Sequence, residues 1–582
     1  MKTTVMRALA AGMWLAASAA ALPPGLVDEP ILGGWTRAVG VVAGPDGRLF
    51  VWEKGGRVWT VEQGVKSAAP LIDIHDEVRD FGDYGMLGLA LDPQFASNGR
   101  IYLLYAVDYD DLVNMDKPGY NPAGSQSQRD SIGRITRYTL NASDGFRSIV
   151  PNSRRVLLGE SPSTGFPLIY QSHGIGSLAF GEDGSLLAGS GDSANFNGID
   201  TGGPQVGSSN TALADGIIKP KEDIGAFRAQ LVDSLAGKII RISAETGDGL
   251  PDNPFYDAAH PRAARSRVWT LGVRNPFRFG VRPQSATPGN PVGAIFAGDV
   301  GFESHEELDV FDAPGQNGGW PLYEGLSDTP GYSTVVSPPN QDAPNPRAGI
   351  NGCAAYFSFR DLLAPDGLGP AQWSNPCDPS QQVPASIPAF RVKRPVIAWG
   401  HGGSTLVPVY SGNDAAAVSI DDPGSPVSGF ALAGTCVVGG AWCMGQGLGS
   451  AYASTYFAGD FTGKFIVNMS FDTANRLLEV RPFLESPTPI AHIAINPTDG
   501  SLYYIAYSYN GPGTLRRIRR VSCPCDLTGD GVVDDADFVA FIPAYNTLEC
   551  GPVCPADFNG DDRVDDADFE LFVVAYNALI CS

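Results

Sequence analysis

Cysteine is absent from the first 352 residues of this 582-residue chain, lysine and arginine are few, and charge of either sign is thin. Only 40 basic residues stand against 63 acidic ones, for a net charge of -23. That balance excludes nucleic acid as a partner, because phosphate binding depends on basic side chains that displace counterions. Charged residues make up 18% of the chain, whereas Gly 71, Pro 46 and 10% aromatics are plentiful. Such a mixture argues against long charged helices and for many short strands joined by tight turns. After the first twenty residues no apolar run approaches the length needed to span ~30 Å of hydrocarbon. No glycine loop for phosphate, serine elbow or thiol-nucleophile context is present, no histidine pair completes a metal set, and the Cys523-Pro524-Cys525 spacing is not a zinc knuckle.

The first residues read as an export signal. Lys2 and Arg7 supply a basic start, Ala8 to Ala20 is apolar and uncharged, and Ala19-Ala20-Ala21 offers small residues for cleavage. A short membrane anchor is the competing reading, and the run is too brief for it. Residues 1–21 are therefore expected to be removed, leaving a soluble secreted, periplasmic or surface protein. Cysteine use agrees with export: Cys353 with Cys377, Cys436 with Cys443, and a cluster at 523, 525, 550, 554 and 581 look like local staples in an oxidising compartment.

What is abundant is a turn followed by a short strand. Gly44-Pro45-Asp46-Gly47 precedes Arg48-Leu49-Phe50-Val51-Trp52, and Asn98-Gly99 precedes Arg100 to Tyr105. Asp183-Gly184 leads into Ser185 to Ala188, and Asp499-Gly500 into Ser501 to Ile505. Each Asp-Gly or Asn-Gly supplies the positive φ of a hairpin turn. Recurrence of one unit over residues 44–500 predicts repeated small sheets, as in an all-β propeller, ahead of a β-sandwich pair. The stretches 328–346 and 424–449, rich in Gly, Ser and Pro, read as surface excursions. Composition shifts sharply after Val521, which divides a region 22–521 from a tail 522–582.

The tail carries 13 acidic residues and one basic residue from 523 to 582. Two loops repeat with a period of 31. Oxygen-bearing side chains fall at Asp526, Thr528, Asp530, Asp534 and Asp537, then at Asp557, Asn559, Asp561, Asp565 and Asp568. With the carbonyls of Val532 and Arg563 at the seventh position, this spacing wraps hard oxygen ligands round Ca²⁺. Gly531 suits the sharp turn, and Asp562 replaces it in the second loop. An apolar segment after each loop, Phe538–Asn546 and Phe569–Asn577, predicts a short helix. The repeat of both ligands and apolar flanks argues against a disordered acidic tail. The pair resembles a type I dockerin, which implies folding on calcium and docking to a cohesin-like protein.

In the larger region, Gln171-Ser172-His173-Gly174-Ile175-Gly176 is followed by Gly189-Ser190-Gly191-Asp192. Next come Leu235-Ala236-Gly237-Lys238, Trp269 to Arg278 with its Arg274-Asn275-Pro276-Phe277, Gly298-Asp299-Val300-Gly301 through Glu306-Glu307, and Asn317-Gly318-Gly319-Trp320-Pro321. In this order they resemble the glucose/sorbosone dehydrogenase family, soluble sugar dehydrogenases that use pyrroloquinoline quinone (PQQ). The resemblance implies a six-bladed propeller with cofactor and sugar over its axis. It places His173 as catalytic base, Arg274 and Asn275 beside the quinone, and the carbonyls of Gly301 and Phe302 on a Ca²⁺ that polarises it. Glu306 and Glu307 stand as alternatives for a structural calcium or a solvated loop. Asp83 occupies a position where family members carry glutamine. No arginine falls in Pro489-Ile490-Ala491-His492, where members clamp the quinone carboxylates, so Lys464 or His492 is expected to compensate.

These residues imply PQQ-dependent oxidation of an aldose, with hydride leaving C1 and His173 taking the hydroxyl proton. The second reading is a non-catalytic propeller that binds carbohydrate or protein and has lost PQQ. A metal-dependent lactonase ranks third, for want of acidic ligands converging across blades.

Overall fold

In the computed structural model the described residues are 22–578, apart from 24, 116, 119, 122–128, 204–208, 366–372, 412–413, 510, 522–524, 530–531, 549–553 and 560–562. The export segment 1–21, Asp530, Asp561, Gly531, Asp562, Cys523, Cys550 and Cys581 lie outside the described residues.

Six antiparallel sheets stand round one axis as a six-bladed β-propeller. The innermost strands, in chain order, are Ala38–Ala43, Met86–Leu91, Ile175–Phe180, Pro276–Val281, Val437–Cys443 and Ile490–Ile495. Each packs against the next, and the sixth against the first, so the ring closes. The short turns foreseen in the sequence are the hairpins leaving the inner strands of blades 1, 2, 3 and 6. Gly47, Gly99, Gly184 and Gly500 take φ of 80°, 61°, 77° and 70°. In each, the preceding Asp or Asn side chain accepts the amide just beyond the turn, as Ser185 N does to Asp183 Oδ1 at 3.0 Å and Ser501 N to Asp499 Oδ1 at 2.9 Å.

Blade 5 departs from the sequence reading. Its inner strand, Val437–Cys443, lies inside the segment 424–449 that composition marked as an excursion. The glycines there serve crowding at the axis: a Cβ on Gly439 would sit 2.3 Å from the Arg278 carbonyl, and one on Gly440 1.6 Å from that of Phe457. The same strand separates the cysteines expected to pair. Cys436 and Cys443 are free, because seven extended residues at ~3.3 Å each put them far beyond disulfide reach. Cys353 and Cys377 are joined, with Cα atoms 5.5 Å apart. They tie the long insertion between the third and fourth strands of blade 4.

Blade 6 is built from both ends of the propeller. Ile490–Ile495, Leu502–Ala506 and Gly513–Arg520 are completed by Leu26–Trp35, paired antiparallel from Leu26↔Arg520 to Trp35↔Gly513. Asp28 accepts Arg516 Nε at 3.0 Å, and Glu29 pairs with both Arg517 and Arg519. Beyond Arg520, the helices Asp535–Thr547 and Asp566–Ala578 form the tail. Among the described residues no helix is long and apolar enough to cross a membrane.

Deleting residues 22–35 would leave Gly513–Arg520 as an open edge. We expect the shortened chain to unfold without a sharp transition and to self-associate, read by circular dichroism melting and size-exclusion chromatography. A cooperative monomer would show that the closure is dispensable.

Candidate functional site

Because six inner strands converge, residues at their starts share one space. Val39, Leu87, Ile175, Phe277, Cys436 and Ala491, from or beside the six inner strands, line a cavity of about 580 Å³ over the axis. Loops add Lys54, Asp83, His173, Phe196, Arg274, Asn275, Val300, Gly301, Phe302, Phe461, Thr462, Tyr507 and Tyr509. His173, Arg274, Asn275, Asp83, Gly301 and Phe302, singled out from sequence, all meet there.

His173 sits just before the inner strand of blade 3, in a left-handed backbone conformation with φ 49°. Its carbonyl accepts Ser193 N at 2.9 Å. Gly191 lets the chains close in, since a Cβ there would lie 2.6 Å from the His173 carbonyl and 2.7 Å from that of Arg274. The ring is oriented by Asp192, which is wholly buried. Asp192 Oδ1 faces His173 Nδ1 at 3.0 Å and accepts Ala194 N at 2.9 Å, while Oδ2 accepts Trp320 Nε1 at 2.7 Å. An ionised carboxylate only accepts, so Nδ1 carries the proton and Nε2 keeps its lone pair. Burial, then the nearby Arg274 charge, hold the His173 pKa below its ordinary value against the opposing pull of Asp192. Burial works to raise Asp192, but His173 and Arg274 outweigh it and keep the carboxyl below its usual range. The sequence displayed Asp192 beside a glycine pair without showing its role.

Arg274 and Asn275 turn their backbone amides onto Asp299, N to Oδ2 at 2.8 Å and N to Oδ1 at 2.6 Å. Arg274 Nη1 donates to the Val300 carbonyl at 2.8 Å, and its guanidinium lies over Phe302 and Trp320 at 5.5 and 5.3 Å. The neighbouring loop is wound round a carboxylate: Glu324 Oε1 accepts the amides of Phe302, Glu303, Ser304 and His305 at 2.8–3.2 Å. Its edge at Val300, Gly301 and Phe302 lines the cavity. Glu306 is buried too, bonded to His401 Nε2 at 2.9 Å and Val437 N at 2.7 Å.

Asp299 also belongs to a cluster of which the sequence singled out only Glu307 as a calcium candidate. Ligand oxygens of Asp299, Glu307 and Asp309 all lie within 4.8 Å of one another, and all three residues are buried. Among the described residues neither Asp309 oxygen has a hydrogen-bond partner. Burial first, and then neighbouring carboxylates (Asp309 and Asp299 for Glu307, Asp299 for Asp309), raise both pKa values well above their ordinary values. Alternate residues 307 and 309 face one side of a strand, with Asp299 opposite Glu307 on its neighbour. That pairing required the fold.

Asp83 opens onto the cavity; its enclosure raises its pKa, against the pull of His173, Lys54 and Arg274. Lys54, not foreseen, reaches the same wall and is held by Asp80 at 2.7 Å. The structure does not bring Lys464 to the cavity. It is exposed on a hairpin turn at φ 57°, and Thr462 of that turn lines the wall instead. His492 stacks edge-on against Trp52 at 5.3 Å, outside the lining, and burial drives its pKa well down. The wall formed by Cys436, Phe461, Thr462, Ala491, Tyr507 and Tyr509 thus presents no basic side chain. At the rim Tyr509 is 69% exposed and Phe196 41%.

In the tail the two repeats answer each other. Tyr545 donates to Asp566 Oδ1 and Tyr576 to Asp535 Oδ1, both at 2.6 Å, positions that match under the 31-residue shift. Val533 and Val564 are buried under the helices, with Phe541 and Phe572. The buried twelfth-position carboxylates close their loops: Asp537 accepts Thr528 N and Asp534 N at 2.8 and 3.0 Å, and Asp568 accepts Asn559 N and Asp565 N at 3.1 and 3.0 Å. Asp526 meets Arg520 at 2.8 Å. Asp557, Val532 and Arg563 lie in the described parts of the loops.

A six-bladed propeller of this form is the fold of soluble sugar dehydrogenases. Residues 36–351, more than half of the chain, match the glucose/sorbosone dehydrogenase family model, and the chain belongs to that family. It is 28% identical over 345 residues to the HIPL1 protein of Arabidopsis thaliana, covering 56% of this chain and 45% of that one. It is 24% identical over 297 residues to quinoprotein glucose dehydrogenase B of Acinetobacter calcoaceticus, covering 50% and 51%. The chain spans about half the length of these relatives. The crystal structure of the soluble aldose sugar dehydrogenase from Escherichia coli in its apo form shares the fold, with TM-score 0.50 and 18% identity over 85% of this chain and 99% of that one.

The buried His173–Asp192 pair predicts a titration. Replacing Asp192 with Asn removes a charge that raises the His173 pKa, so the ring should titrate at still lower pH, read by NMR of the His173 ring. An upward move would show that Asp192 does not act on the ring as an anion.

Proposed function

We propose that this protein oxidises the anomeric carbon of an aldose, using PQQ with Ca²⁺ as the hydride acceptor. The observation that carries the reading is the neutral imidazole of His173, fixed by a buried aspartate at the wall of the axial cavity. Its Nε2 takes the proton of the C1 hydroxyl, and Asp192 stabilises the imidazolium that results. Trp320 and Ala194 hold the carboxylate in place while the charge appears. Arg274, locked by Val300 and two aromatic faces, presents a cation that needs no rearrangement. The residues on that side fit one edge of a planar anionic quinone: Arg274 and Asn275 would hold its dione and Lys54 a carboxylate, with carbonyls of Gly301 and Phe302 on the Ca²⁺. A bound quinone would supply the two-electron acceptor for the hydride, while His173 takes the hydroxyl proton. Phe196 and Tyr509 at the rim suit the apolar faces of a pyranose.

The buried carboxylates Asp299, Glu307 and Asp309 suit one hard divalent cation such as Ca²⁺. An ion there would steady Asp299 and, through it, the Arg274 and Asn275 amides. The tail we read as a dockerin-like calcium module for a cohesin-like partner, and the protein as exported. The wall without a basic residue favours the second reading, a carbohydrate-binding propeller that does not take up quinone.

The test is dye reduction by the purified protein with PQQ, Ca²⁺ and a panel of aldoses and oligosaccharides. His173→Ala should lower kcat by about 10³-fold, and Asp192→Asn by about 10²-fold or more with KM little changed. No quinone uptake at micromolar concentration would favour the binding propeller. Because the lowered His173 pKa leaves the base free at and above pH 6.5, the rate should stay level there and fall only as pH drops through that lowered value. A fall beginning above pH 7 would exclude His173 as the base.

Chelation should lower the main melting transition by roughly 3 °C or more, an effect that Asp309→Ala abolishes. It should also reduce the helical signal of the tail while the β signal persists. Identical spectra with and without metal would end the calcium reading of the tail.

A further inference from the structure

Arg278 is a buried charge that the proposed chemistry leaves unused. It extends from the inner strand of blade 4 and is only 3% exposed. Nη1 donates to the Leu87 carbonyl of blade 2 at 2.7 Å and, more loosely, to Gly176 of blade 3 at 3.4 Å. Nη2 donates to the Val39 carbonyl of blade 1 at 2.8 Å. The guanidinium therefore crosses the axis and joins the inner strands of four blades. Val39 and Leu87, whose carbonyls it grips, and Phe277, over whose ring it lies at 4.2 Å, are themselves cavity lining. Arg278 itself lies behind these lining residues, which form the floor of the cavity.

Among the described residues no carboxylate pairs with it. Trp52 and His492 stand beside the plug, Trp52 donating to the same Leu87 carbonyl at 3.3 Å. Burial alone acts on its pKa, lowering it to about 9, so the group stays charged at neutral pH. Removing a cation from water without a counter-ion is costly, and carbonyl dipoles compensate only in part. The cations that line the cavity, Lys54 and Arg274, are partly offset by the carboxylates beside them, Asp80 and Asp83. The far wall offers none. Unpaired positive charge is concentrated beneath the floor.

We propose that Arg278 is an electrostatic anchor for a carboxylate-bearing ligand of the axial cavity, and so selects an anionic redox cofactor over a neutral one. This rests on the quinone reading above. It assigns Arg278 a positioning role: the guanidinium acts through the floor, across the peptide groups of Val39 and Leu87. Low effective dielectric there makes a charge felt over several ångströms.

The test compares PQQ with its uncharged trimethyl ester, using quenching of protein fluorescence to measure Kd in the full chain with Ca²⁺. Arg278→Met removes the charge, and Arg278→Lys keeps it while losing carbonyl contacts. Melting temperatures report the damage to the plug. Arg278→Met should weaken PQQ about tenfold and the ester less than twofold, whereas Arg278→Lys should hold PQQ within threefold of the parent. If the Met variant does not fold, the Lys variant with the two ligands still decides. PQQ lost in step with the ester and with melting temperature would make Arg278 a structural plug only and overturn the proposal. Parent protein that binds both ligands equally would overturn the anchor yet leave the quinone site standing. Parent protein that binds neither would overturn the quinone reading, and this proposal with it.

Discussion

Everything at the centre of this molecule depends on the antiparallel pairing of Leu26–Trp35 with Gly513–Arg520. A propeller site has no local architecture of its own. It exists where the starts of six inner strands, drawn from residues 38 to 495, are held at one radius. Backbone pairing between the two ends of the propeller, reinforced by Asp28 and Glu29 against three arginines, closes the circle and sets that radius. Opening the seam would part Ala491 and Cys436 from Val39 and Leu87, and the cavity would become a groove.

Around that cavity, burial and charge are set against each other. His173 is neutral because its enclosure and Arg274 outweigh Asp192. Asp192 is ionised because His173, Arg274 and the Ala194 amide outweigh its enclosure. The difference in environment leaves Nε2 of the ring as a free acceptor and places an anion on Nδ1 that orients it. The same low dielectric raises the stakes for groups with no partner. Asp299, Glu307 and Asp309 crowd together behind Arg274 and Asn275, while Arg278 beneath the floor has no carboxylate partner among the described residues.

The tail follows a different logic. Its two repeats bury little apolar surface, chiefly Val533, Val564, Phe541 and Phe572, and they cross-link through matched tyrosine–aspartate bonds. In a module this small, the oxygen side chains of the loops are what the proposed calcium reading rests on.

Much of the outline was legible in the chain itself. Asp-Gly and Asn-Gly turns announced the hairpins of blades 1, 2, 3 and 6, since φ above zero is a local demand that few residues meet. The two helices of the tail were legible for the same reason, each following an acidic loop repeated in sequence. His173, Arg274 and Asn275 stood out through an ordered set of motifs, and tertiary structure brought them to one cavity. What the chain could not display were relations across the axis: the glycine-rich inner strand of blade 5, the distance between Cys436 and Cys443, the carboxylate Asp299 opposite Glu307, and Lys54 in place of Lys464. Sequence determines conformation where the forces act within a few residues. Ring closure alone decides which distant side chains share a low-dielectric space, and hence which of them carry charge.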